Sequence, residues 1–155
     1  MTDNLSCGEK GEPVPAGLIV VRLAKLSMDA EETGRAHESH FTLSTEDQNS
    51  ELKSLSVWVR ALTPPHVARE FMEAKKQDYR LVLNLNVDDI REVNYLPEAP
   101  VPPLDVVWDP LDKPDSDGHA GIVGLMRPNN APKAPYKNLR ARLAQLAMTE
   151  ILPLS

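Results

Sequence analysis

Two apolar runs set close together constrain this chain more than any other feature. Asp105-Val106-Val107-Trp108-Asp109-Pro110 reads as a strand ending at an Asp-Pro turn signal. Gly118-His119-Ala120-Gly121-Ile122-Val123-Gly124-Leu125 reads as a second strand. The loop between them, Leu111 to Asp117, is acidic. The second strand opens on a histidine and carries Gly121 and Gly124. Glycine inside a strand marks a bulge or a close approach by another backbone or a ligand. Histidine titrates nearest neutrality, so beside these aspartates His119 is a candidate proton-transfer or ligand-binding group.

The rest of the chain supplies partners for these strands. Leu18-Ile19-Val20-Val21-Arg22-Leu23 is rich in β-formers and predicts a strand buried on both faces. Leu55-Ser56-Val57-Trp58-Val59 alternates with period two. Arg80 to Val87 puts Leu81, Leu83, Leu85 and Val87 on one face and Arg80, Val82, Asn84 and Asn86 on the other. A helix is predicted from Pro64 to Lys76, with Thr63 as its cap and Val67, Phe71 and Ala74 along one face. Asn86 predicts the cap of a short helix, Val87–Val93, with Asp88 and Asp89 in its first turn. Leu139, Leu143, Leu146 and Ala147 predict a last amphipathic helix over 136–148.

Pro97, Pro100, Pro102 and Pro103 make a stiff connector into 104–108. Residues 27–54 form a long polar connection in which His40-Phe41-Thr42-Leu43 is expected as a short strand. The expectation is an α+β domain over 16–155, behind a flexible segment 1–15. It has a single mixed or mainly antiparallel sheet of five or six strands, two main helices and one short one.

At 155 residues the chain can bury an ordinary core, and no apolar run approaches the about 20 residues that span a bilayer. The N-terminus lacks a basic and an apolar region of signal-peptide type, so a cytoplasmic protein that does not enter the membrane is expected. The single cysteine, Cys7, excludes an internal disulfide and a cysteine-based zinc site. Net charge is −6, which repels nucleic acid. Residues 127–148 nevertheless hold Arg127, Lys133, Lys137, Arg140 and Arg142 with no acid among them. Arg140 and Arg142 are therefore expected to solvate a helix face rather than contact phosphates.

Each chemical candidate has a plain structural alternative. His119 could act as a general base or bind an anion, with Asp105, Asp109 or Asp117 orienting its ring. Its structural role would be to tie the acidic loop to the last strand. Either way a neighbouring carboxylate favours imidazolium and predicts a raised pKa. His37-Glu38-Ser39-His40 has two imidazoles at a chelating spacing, but no helical face and too few further histidines, so no metal is expected. Arg22, inside an apolar run, must reach solvent, a carboxylate or an anion. A strand Arg with Ser56 and a late acid is the layout by which ADP-ribosyltransferase-like enzymes hold NAD, although no clear catalytic glutamate stands on a late strand. The catalytic candidates are thus His119, Arg22 and Ser56. No nucleotide or hydrolase motif occurs and no cofactor is called for.

Val106-Val107-Trp108-Asp109-Pro110-Leu111, His119-Ala120-Gly121-Ile122-Val123-Gly124 and Leu143-Ala144 together resemble a family of small bacterial proteins with the pattern V-V-x-D-P-L … H-A-x-I-x-G … L-A. Leu55–Val59 resembles their middle segment. The longer loop Lys113 to Gly118 departs from that pattern. The resemblance implies a bacterial cytoplasmic protein and assigns no chemistry. Size, acidity and the lack of a catalytic motif then point to a non-catalytic accessory or immunity-type protein that binds another protein, encoded in the same operon. The alternative is a small nucleotide- or NAD-processing enzyme using Arg22 and His119.

Overall fold

Leu81-Val82-Leu83-Asn84-Leu85-Asn86 shows how the sheet is built. In the computed structural model, which describes residues 5–25, 35–71, 79–93, 104–111, 113–114 and 116–153, this segment is a strand flanked on both sides. Leu81, Leu83 and Leu85 are buried on one face; Asn84 and Asn86 stand half-exposed on the other, which they share with the buried Val82.

The described residues form six strands: β1 (Ile19–Ala24), β2 (Leu55–Val59), β3 (Leu81–Asn86), β4 (Asp105–Trp108), β5 (His119–Val123) and β6 (Met148–Ile151). They make one sheet in the order β4-β5-β2-β1-β3-β6, antiparallel at every pairing. The helices are α1 (Thr45–Asn49), α2 (Pro65–Ala68), α3 (Val87–Glu92) and α4 (Ala134–Leu146). The fold class is α+β. Among the described residues no helix is long and apolar enough to cross a membrane.

Strand alternation divides the core in two. The larger cluster gathers Val20, Leu55, Val57, Leu83, Leu85 and Ile122 under Phe41, Ile90, Tyr136, Leu139 and Leu143. The smaller cluster, on the opposite face, holds Val21, Leu23, Trp58, Val82 and Ala68, with Phe71, Tyr79, Leu111 and Leu152 packed against it. Trp58 stacks on Phe71 with ring centroids 4.8 Å apart.

Several local expectations are corrected. Residues 38–41 are a 3-10 turn, not a strand. The Ser39 N–H donates to His37 Nδ1 at 3.1 Å, and the His37 N–H donates to His40 Nδ1 at 3.0 Å, so the two imidazoles cap the turn reciprocally. α1 follows from Ser44 and Asp47, which cap each other's backbone N–H at 3.1 Å, a signal legible in the sequence but passed over.

The last helix stops at Leu146, and Met148–Ile151 turns back as β6 along β3. α2 begins at Pro65 with Pro64 as its cap and no side-chain capping bond; the Thr63 hydroxyl is engaged elsewhere. Residues 72–76 of that predicted helix, and the proline connector 97–103, lie outside the described residues. Asn86 does cap α3, accepting from the Asp88 N–H at 2.8 Å.

Residues 5–15 run beside β4. Gly11 N–H donates to Trp108 O (2.8 Å), Trp108 N–H to Glu12 O (2.8 Å) and Val14 N–H to Val106 O (2.9 Å). Val14 is buried, and a side chain at Gly8 would collide with the Trp108 ring. Arg140 is corrected too: its Nε donates to Glu38 Oε2 at 2.8 Å, pinning α4 to the 3-10 turn rather than only solvating it.

Candidate functional site

The antiparallel β2–β5 ladder brings the two sequence candidates together. Ser56 stands opposite Gly121 and Trp58 opposite His119, which places all four on one face of the sheet. Side chains two residues apart along adjacent strands meet diagonally, and Ser56 Oγ lies 2.6 Å from His119 Nε2. Nδ1 of the same ring lies 2.6 Å from the main-chain carbonyl of Asp109 and 3.7 Å from the Asp109 carboxylate. The residue is 7% exposed, and its ring sits edge-on to Trp58, centroids 4.6 Å apart.

The hydrogen-bond chemistry assigns the protons. A carbonyl only accepts, so Nδ1 carries the hydrogen. Burial pushes the His119 pKa below its ordinary value, and it outweighs the opposing pull of the Asp109 carbonyl and carboxylate and of Asp47. That overturns the expectation of a raised pKa: the carboxylate is present, but desolvation is the larger effect. The ring is therefore neutral at neutral pH, its Nε2 lone pair faces Ser56, and the Ser56 Oγ–H donates to it.

Backbone geometry holds this arrangement. Gly118 N–H donates to the Thr63 hydroxyl at 2.9 Å, and Gly118 O accepts from Val59 N–H at 2.7 Å. A Cβ at Gly118 would lie 2.8 Å from the Val59 carbonyl and 2.7 Å from Thr63 Oγ1, so only glycine brings the loop this close. Ser116, buried, folds the loop on itself by donating to Lys113 O (2.6 Å) and Leu111 O (3.0 Å). Asp109 N–H in turn donates to His119 O at 3.1 Å. At Gly121 the space that a Cβ would take is filled by the Ser54 side chain. Lys10 bridges Glu51 (3.1 Å) and Asp109 (3.6 Å) at the rim.

The remaining candidates go elsewhere. Asp105 binds Arg91 Nε at 2.7 Å, at the end of β4 paired with Val123, and Asp117 is exposed. Arg22 has Leu83 as its register partner and rises on the larger-core side of β1. Its Nη1 donates to the Ser56 carbonyl at 3.0 Å and its Nε to the His40 carbonyl at 3.2 Å. It thus touches the backbone of Ser56 and not its hydroxyl; burial lowers its pKa, yet a guanidinium stays protonated.

A glutamate on a late strand does exist, Glu150 on β6, which the sequence reading missed with the strand. It is bound by Arg60 and Asn84, and β1 and β3 separate its strand from β2. Among the described residues, Arg22, Ser56 and Glu150 do not converge. Ser54, Ser116 and Lys10 were also missed, and Thr63, read as a helix cap, instead holds Gly118, 55 residues away in the chain.

In comparison with known proteins, the chain matches no family model, no curated protein and no solved structure.

Proposed function

We propose that this chain works in the bacterial cytoplasm by binding another protein, as an accessory or immunity-type factor. The observation that carries this reading is Met148, 76% exposed on β6. It stands on the same sheet face as Ile19, itself 37% exposed. Helix α2 and Phe71 pack over the Trp58 part of that face. On the same face, Arg60, Asn84 and Glu150 form a hydrogen-bonded network. An apolar pair sharing a face with a satisfied polar network resembles the composition of non-obligate interfaces, in which methionine and arginine are enriched.

The test is capture from the native host with three baits. Wild type and Ser56→Ala are expected to retain one protein in common, and Met148→Glu to lose it while keeping its circular dichroism. Equal capture by all three, or no specific capture, overturns the reading.

A further inference from the structure

Beyond binding, we propose that Ser56 is a nucleophile activated by His119, and that the site hydrolyses a carboxylic ester. Three observations carry this. Ser56 Oγ and His119 Nε2 are 2.6 Å apart, within the range over which an imidazole takes a hydroxyl proton. The Nδ1–H donates to the Asp109 carbonyl at 2.6 Å, which fixes the tautomer with its basic nitrogen toward the serine. Asp109's carboxylate, 3.7 Å from Nδ1, is placed to stabilise the imidazolium once it forms. Ser56 itself is only partly buried, while the imidazole is shielded.

The reaction needs only water as co-reactant. Ser56 Oγ attacks the ester carbonyl carbon as its proton passes to His119 Nε2. The carbon–oxygen bond to the alcohol breaks, and the Nε2 proton goes to the departing oxygen. Water then adds to the acyl-serine by the same route, releasing the acid and restoring Ser56 Oγ–H. No group is oxidised or reduced. A neutral imidazole that receives and returns one proton suits an alcohol leaving group.

The probe is an alkyl fluorophosphonate, which Ser56 Oγ attacks at phosphorus with loss of fluoride. Intact mass and peptide mapping of the full chain are expected to show one adduct, on Ser56, absent in Ser56→Ala. His119→Gln is expected to slow labelling by about 10²-fold or more, the range of general-base catalysis. Near-ultraviolet circular dichroism, reporting the Trp58 environment, checks that this variant keeps its fold. Should it unfold, the concentration series on wild type decides: saturable labelling confined to Ser56, with a burst of one p-nitrophenolate per chain from p-nitrophenyl acetate followed by slower turnover, supports the proposal. No adduct on Ser56, or an adduct formed equally fast in folded His119→Gln, overturns it. Neither result bears on Met148, so the two proposals fail separately.

Discussion

His119 donates its Nδ1–H to the main-chain carbonyl of Asp109 at 2.6 Å, while the carboxylate of that residue stays 3.7 Å away. A carbonyl is indifferent to pH, whereas a carboxylate in direct contact would have pulled the imidazole toward protonation. With burial dominant, the folded pKa lies below the unfolded value near ~6.5. Between those two values the unfolded chain binds the extra proton, so this contribution to stability is full above the unfolded pKa. It declines as pH falls toward the folded one. Replacing His119 with Gln should thus cost more stability at pH 8 than at pH 5, measured by urea unfolding. Asp109→Asn, which removes a pull upward, should lower the imidazole pKa further in an NMR titration.

Thr63 and Gly118 form a second pair open to test. Gly118→Ala drives a Cβ to 2.8 Å from the Val59 carbonyl and should destabilise by about 1–3 kcal/mol, the range of overpacked interiors. Thr63→Val keeps the shape but strands the buried Gly118 N–H, at a cost of about 1–3 kcal/mol. Because both act on one contact, the double variant should fall short of the sum.

Arg140 and Glu38 predict a measurable coupling where Arg142 predicts none across elements. The Arg140 hydrogen bond holds the Glu38 carboxyl below its usual pKa. The stabilisation is therefore present above the unfolded value near ~4.3 and is lost as pH falls through the folded one. A double-mutant cycle with Arg140→Gln and Glu38→Gln should give about 1 kcal/mol at pH 7 and shrink as pH falls through the folded Glu38 value. Arg142 donates to Gln145 on its own helix at 3.0 Å, and Arg142→Gln should change stability by less than about 0.5 kcal/mol.

Leu83 tests the assignment of faces. It is fully buried between β1 and β6, and Leu83→Ala should cost about 2–5 kcal/mol through the cavity left behind. Asn84→Ala, one residue on and half-exposed on the opposite face, removes hydrogen bonds to Arg60 and Glu150 but opens no core cavity, so it should cost less.

What the chain shows by local pattern alone is the set of strands β1 to β5, the short helix capped by Asn86 and the body of α4. Each has a periodicity or a cap contained within a few residues, and burial follows periodicity. β6 was illegible because Met148-Thr149-Glu150-Ile151 is short, at the sheet edge and half-exposed, so it has no alternation to read. His119 could be singled out from its loop, with Asp109 among its candidate partners, but the contact with Ser56 could not. Ser56 is 63 residues away and reaches it only through the β2–β5 register. Arg22 and Ser56 were both named, yet alternation sets them on opposite faces, joined only through a carbonyl. The direction of the His119 pKa was likewise a tertiary decision. A sequence displays the aspartates nearby, but the competing desolvation exists only once Trp58 and the folded loop close over the ring.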